Sequence, residues 1–461
     1  MPAIRLGSDP IPMRVTAALA ALLFLLPAVH AQTAGPVVRV QVLGRAALSQ
    51  PTLEGVGSGV ELSLDGQPLA STAAGERVEV RASGPDVQVT VGGRRHQGRE
   101  LTVDAGEIRL RSGRTDRRYP ARLVARVEGG SVEWVNHAPI ETYVASVVAS
   151  ELNFPEIEAA KAQAILARTY ALRRQGEHAT YDLFDDQRHQ VYRGLATITP
   201  TSQRAAQETA GQTLTYNGEL ADAYYFSSSG GHTANNEALW DGAPIPYLRG
   251  VPDPYDTVAP DHSWRTTAPR GAVLRALSNQ FGGAVRGVQV ERRSPSGRVL
   301  TVRLDGGRRA TITGSQFRRA VDSAVGARTV RSTSYDISLQ GDEYVFTGGG
   351  FGHGVGMSQF GAVGQARAGR SHREILAHYF VGTDVSGGSA APLAAQARPI
   401  PRSPGQAEPA SALRTRYRAP SGRRWPTPRH QANTQEEVAA TAPAPAAPPT
   451  AEPPPRRRKA W

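Results

Sequence analysis

The sequence contains no cysteine in 461 residues. Disulfide bonds and thiolate metal sites are therefore excluded, and the fold must stand on packing alone. A second absence is a long apolar run: beyond residue 31 no stretch is apolar enough to span a bilayer. Two catalytic signatures are missing as well. No stretch carries the Gly-Lys-Ser/Thr of a phosphate loop, and "SSGG" at 228–231 is not the Gly-x-Ser-x-Gly elbow of a serine hydrolase. What is present suffices for a core: 39% of residues are hydrophobic, and the length allows two or three domains.

Composition sets both ends apart. Met13 and Arg14 precede the apolar run "AALAALLFLLPAV", and "VHA" at 29–31 fits the small-x-small cleavage rule. Residues 1–31 read as an export signal. Asp9 and its neighbouring prolines are foreign to a signal's first segment, which makes Met13 the expected start. The mature chain is expected in the periplasm, cell wall or extracellular space. At the other end, residues 385–461 hold 15 of the 34 prolines and 12 Lys/Arg against 4 Asp/Glu. Such a segment cannot bury enough apolar surface to fold and is expected to be disordered. Its charge suits an anionic envelope polymer as partner; no nucleic acid is expected.

Between the ends, residues 36–117 show short alternating runs such as "VVRVQVL", "ERVEVRA" and "VQVTV", separated by turn signals such as "LDGQ" and "VGGRR". That is a meander of strands without a cluster of catalytic residue types. The expected class is α+β: a β-rich module over 32–118, a mixed α+β catalytic domain over 119–384, and the tail.

The segment "APIETYVASVVASELNF" carries apolar residues at Ile140, Tyr143, Val144, Val147, Val148 and Leu152, one face of a helix. Glu151 fills the gap in that stripe. Burial disfavours a charged carboxylate and raises its pKa, which is what general acid catalysis needs. The alternative is a Glu at a helix end, turned to water or paired with an Arg. A second helix follows, with Asn153 as cap and Pro155 in its first turn. Arg168 and Tyr170 lie in its middle; Arg168 reaches either a substrate or the helix surface.

The stretch "GGGFGHGVGMSQFGA" over 348–362 is dense in glycine, which lets backbone approach a bulky ligand or another strand closely. In the first case His353, Ser358 and Gln359 supply hydrogen bonds to the ligand. In the second the glycines serve packing and His353 bonds internally. The companion loop "YYFSSSGGHT" offers Tyr224, Tyr225, Ser227, Ser229 and His232, with aromatic faces for a ligand's rings.

In order, "SVVASEL", "EAAKAQAILARTYAL", "YDLFDDQRHQVYRG", "AYYFSSSGGHT" and "GGGFGHGVGMSQFGA" resemble the SpoIID/LytB family: stage II sporulation protein D and the amidase enhancers. The resemblance covers roughly residues 119–380. It implies a peptidoglycan lytic transglycosylase acting on glycan strands stripped of stem peptides, with Glu151 as the catalytic glutamate. One carboxyl group suffices: it serves as acid on the leaving oxygen, then as base on the sugar's own 6-hydroxyl, giving a 1,6-anhydro product. No cofactor is implied. Some members hold zinc with His and Cys around the acidic turn. Here Phe184 replaces one Cys and only His178 and His189 remain, so no metal is expected. At least two of Asp182, Asp185 and Asp186 in that turn read as turn formers and caps. The LytB name implies the competing class, a non-catalytic glycan-binding enhancer of a cell-wall amidase, with the amidase as partner.

Overall fold

The computed structural model describes residues 35–387 apart from 45, 47, 49 and 241. The expected export signal and nearly all of the expected tail lie outside these residues.

Alternation dictates the first layer. Strand Val37–Val42 buries Val38, Val40 and Val42 and turns the residues between them outward, the period-two pattern of a sheet packed on one face. It pairs antiparallel with Ser131–Pro139 and parallel with Leu183–Phe184. Beyond Ser131–Pro139 the sheet continues through Thr115–Glu128, Glu100–Ser112, Thr52–Gly55, Val78–Ser83, Asp86–Val91 and Arg94–Gly98. The hairpin Glu61–Leu64/Gln67–Ser71 also docks on Glu100–Ser112, completing eleven strands.

The boundary expected at 118/119 falls inside Thr115–Glu128. Two strands of 13 and 14 residues run from the meander into the part that precedes the helices, and one hydrophobic core spans both. The boundary at 384/385 is likewise crossed, because Asp384–Ser386 pairs with Thr213–Tyr216.

Seven helices are described: α1 (Ile140–Glu151), α2 (Ile157–Arg173), α3 (Pro200–Glu208), α4 (Arg270–Phe281), α5 (Gly314–Val325), α6 (Gln359–Arg367) and α7 (His372–Tyr379). The fold is α+β. Helix α2 is the hub; it packs on α1, α3, α6 and α7. Its alanines Ala159, Ala160, Ala162, Ala164 and Ala167 are all buried and permit these close approaches. It starts later than the sequence suggests. Asn153 is exposed and Glu156 stands at the N-cap position, where its side chain caps no backbone N–H and instead pairs with Arg367 at 2.7 Å.

A second core lies within the range expected to be one domain. Trp264–Pro269, Glu343–Gly348 and Tyr335–Gln340 form one three-stranded sheet; Gly283–Arg293, Val299–Gly307 and Thr311–Thr313 form another. With α4 and α5 they bury Trp264, Val273, Leu277, Val302, Phe317, Val321, Tyr335 and Phe346 against one another. This inserted unit leaves the main body after Asp261 and returns at Gly349.

Candidate active site

Helix α1 presents the expected face: Ile140, Tyr143, Val144, Val147, Val148 and Leu152 are all buried. It ends at Glu151, where Leu152 leaves helical geometry at φ −138° ahead of Pro155. Glu151 is thus half-buried on the last turn, where the helix dipole disfavours an anion. The Val191 N–H donates to Glu151 Oε1 at 2.7 Å, and the Gln359 amide donates to the Glu151 carbonyl at 3.0 Å. Burial holds the carboxyl above its ordinary value, against the opposing pull of Val191, Gln359 and the more distant Arg193. The alternative of a Glu paired with an Arg does not occur: among the described residues no ion pair reaches it.

The segment 190–194 lies along α1 and supplies these contacts. Tyr143 donates to the Gln190 side chain at 2.8 Å, Ser146 Oγ donates to the Gly194 carbonyl at 2.8 Å, and the Arg193 N–H donates to Ser146 Oγ at 3.3 Å. The segment belongs to the motif "YDLFDDQRHQVYRG" quoted above, but nothing in its periodicity points at Glu151.

Opposite stands the glycine-rich region. Tyr225–Phe226 pairs parallel with Met357–Ser358, and the Phe360 N–H donates to the Ser227 carbonyl at 3.0 Å. Alternation then places Tyr225, Ser227 and Gln359 on one side of this ribbon. The Tyr225 phenol is raised well above its ordinary value by burial beside Glu151, Tyr143 and Tyr170. Tyr170, under the Arg174 guanidinium at 3.8 Å, belongs to the packed wall behind it. Tyr224 packs on Trp240 with ring centres 4.7 Å apart. Phe154 and Phe360 form an edge-on pair at 5.2 Å beside Glu151 and Gln359, a partly exposed aromatic surface that the sequence did not single out.

Several expected contacts are spent inside the fold. Arg168 is 1% exposed, paired with Glu141 and donating to the Gln212 carbonyl at 2.9 Å. Glu141 starts the helix that Glu151 ends, about 15 Å away at 1.5 Å per residue. Arg168 therefore braces α1, α2 and α3 rather than the site. His353 donates from Nε2 to the Tyr225 carbonyl at 2.9 Å and accepts from the Val355 N–H at Nδ1, 3.1 Å. Burial lowers its pKa to about 4. Ser358 and Ser229 are buried around Asp256. His232, bonded to the Thr233 carbonyl at 2.7 Å, lines a separate cavity of about 200 Å³ with Asn235, Gly250, Ser294, Pro295 and Ser296.

Asp256 explains the glycines and serines together. Fully buried, it accepts from Ser228 Oγ (2.7 Å), Ser229 N (2.9 Å), Gly230 N (2.9 Å) and Ser358 Oγ (2.7 Å), and faces His262 Nδ1 at 3.2 Å. Ser358 in turn caps α6 through the Gly361 N–H. The two loops cross so closely that a Cβ on Gly350 would lie 2.6 Å from the Ser228 carbonyl, and one on Gly356 2.1 Å from the Tyr224 carbonyl. Packing, not ligand approach, accounts for these two glycines.

In the acidic turn, Asp182 accepts from Arg39 and Gly176, Asp185 from the Leu43 N–H, and Asp186 pairs with Arg188. His189 Nδ1 accepts from the Phe184 N–H at 2.9 Å and its ring stacks on Phe184 at 5.2 Å, while His178 stacks on Tyr181 at 4.6 Å. Burial lowers the His189 pKa to about 3. Among the described residues no three ligating side chains come together at a metal's spacing.

A family model described as stage II sporulation protein matches residues 128–216, which include Glu151 and the Val191 segment. A model described only as a domain of unknown function matches residues 263–356, the inserted unit and the start of the glycine-rich return. The chain is 33% identical over 270 residues to stage II sporulation protein D of Bacillus subtilis, spanning 55% of this chain and 76% of that protein. It is 34% identical over 282 residues to stage II sporulation protein D of Bacillus amyloliquefaciens, spanning 57% and 78%. The amidase enhancer of Bacillus subtilis is 27% identical over 277 residues, 50% of this chain and 38% of that protein.

Proposed function

The chain belongs to the SpoIID/LytB family, and on that premise we propose that it is an exported cell-wall protein that cleaves peptidoglycan glycan strands stripped of their peptides. The reaction is lytic transglycosylation with Glu151 as the single general acid and base. The observation that carries the reading is the Glu151 carboxyl itself: half-buried, at a helix C-terminus, kept toward its protonated form and held by one backbone N–H.

Val191 fixes Oε1 and leaves Oε2 to carry the proton. Protonated Glu151 gives that proton to the glycosidic oxygen as the bond to C1 breaks. The carboxylate so formed takes the proton of the same sugar's 6-hydroxyl as its oxygen bonds to C1. The products are a 1,6-anhydro end and a free 4-hydroxyl, and no water is consumed. The carboxyl group ends the cycle protonated, as it began. Tyr225, Ser227 and Gln359 border the position the sugar occupies, and Phe154 and Phe360 offer it an aromatic face.

The likeness to the amidase enhancer favours a second reading, a glycan-binding protein that stimulates a cell-wall amidase without cleaving. Incubating the purified protein with peptide-stripped strands separates the two. Anhydro-sugar ends made by the wild type and not by Glu151→Gln support the enzyme. Strand binding without cleavage, with faster peptide release by an added amidase, supports the enhancer.

A further inference from the structure

We propose that the inserted unit, residues 263–348, is a second binding surface for the acidic glycan strand, remote from Glu151, with Arg270, Arg286, Arg308 and Arg309 as its contacts. This rests on the reading of a peptide-stripped strand as substrate. Such a strand is a polyanion, because each muramic acid bears a lactyl carboxylate once its peptide is gone.

Charge is divided sharply within the chain. Residues 263–348 hold 14 Arg and no Lys against 6 Asp/Glu, whereas the rest of 35–387 holds 25 Lys/Arg against 30 Asp/Glu. The main body alone repels an anionic strand, and the insertion attracts one. Three of the unit's six acidic side chains, and Asp261 beside it, are engaged in ion pairs. Asp336 pairs with Arg293, Asp305 with Arg303 and Asp322 with Arg318, while Asp261 takes Arg328 and Arg331.

Among the described residues, four arginines at one end of the Gly283–Arg293/Val299–Gly307 hairpin have no ion pair. A Cβ on Gly306 would stand 3.2 Å from Arg286 Nε, and one on Gly282 3.4 Å from Arg308 Cβ, so the two side chains lie across bare glycine backbone. Gly283 faces Gly307 in the register, which places both arginines at the same end. Arg270 donates to the Arg286 carbonyl at 2.9 Å and brings a third guanidinium alongside; Arg309 follows Arg308 on the exposed strand end. The neighbouring carboxylates are Asp305, Glu343 and Asp342, the last bonded through its carbonyl to the Arg270 N–H at 2.9 Å.

The surface is open, which fits an extended chain better than a small ligand. The guanidinium fork matches carboxylate oxygens. The hairpin tip, Ser294 and Ser296, lines the cavity with His232, and the arginines stand at the opposite end, about 30 Å along the strands at 3.3 Å per residue. A long strand can engage both ends; a short fragment cannot.

The test uses the full chain, wild type and the Arg286→Glu/Arg308→Glu/Arg309→Glu variant, with peptide-stripped strands fractionated by length. For long strands KM rises about tenfold at physiological salt with kcat unchanged, the gap closes at 1 M salt, and short fragments are cleaved alike by both proteins. Equal effects on long and short substrates, or none on long strands, overturn the proposal. Co-sedimentation of the Glu151→Gln chain with strands keeps this separate from the catalytic reading. Retention must fall when the lactyl carboxylates are amidated and when the three arginines are reversed. If instead the arginines hold only poly(glycerol phosphate), anionic vesicles or DNA, the partner is misassigned and the proposal fails.

Discussion

Asp256 never contacts the glycan in the proposed reaction, yet its loss should be among the most damaging single changes in the chain. It is fully buried and receives four short hydrogen bonds from both loops that build the wall opposite Glu151. In Asp256→Ala, the Ser228 and Ser358 hydroxyls can rotate to other acceptors, but the Ser229 and Gly230 N–H groups are fixed. Each buried donor left unsatisfied costs about 1–3 kcal/mol. The two fixed amides alone set the loss at roughly 4 kcal/mol, a large share of an ordinary stability of about 5–15 kcal/mol. Asp256→Asn keeps the shape but turns an N–H₂ toward one set of donors, and should cost about half as much. Urea unfolding of both variants against the wild type measures this. In the Asn variant cleavage should fall further than folding does, because Ser358 orients α6 and with it Gln359. A loss below about 1 kcal/mol for Asp256→Ala would refute the reasoning, since it would mean those donors find partners elsewhere.

Two further predictions follow from the buried charges. Burial keeps the Glu151 carboxyl above its ordinary value of 4.5, so the folded chain holds a proton there that the unfolded chain has lost. Stability from this group is present below the ordinary value and is lost as pH rises through the raised one, so Glu151→Gln should be more stable than wild type at pH 8, with the gap closing toward pH 4; urea midpoints at the two pH values decide it, and a destabilised Gln variant at pH 8 contradicts the assignment. Arg168→Ala should lower stability by roughly 3 kcal/mol through the unpaired Gln212 and Ala206 carbonyls and the lost Glu141 pair, and should leave KM unchanged in the folded fraction; a raised KM with an unchanged melting temperature would return Arg168 to the substrate.

Glu151 was legible because periodicity and chemistry disagreed there: a carboxylate stands where the helix stripe calls for an apolar residue. The alternating strands were legible for the same reason, one period per element. What stayed hidden depends on partners distant in sequence. Arg168 reads as a reaching side chain until Glu141, 27 residues earlier, is seen to take it. Asp256 sits in "DPYDTV", a turn signal by composition, and its four donors lie 26 to 102 residues away.

The insertion was hidden by its own regularity. Its strands and helices alternate as those of the main body do, so nothing in the pattern announces a second core between Asp261 and Gly349. Charge could have announced it: the surplus in 263–348 equals that of the tail, eight in each, out of a net +12 for the whole chain. Outside these two segments the chain is net acidic, which conceals the second surplus in the total. This placement also bears on the site. The insertion leaves between the Asp256 turn and the glycine-rich return, so its junction residues, His262 and Gly349, touch the loops that hold Tyr225 and Gln359. A strand bound on the insertion is therefore held by a unit that is anchored at the wall of the proposed cleft.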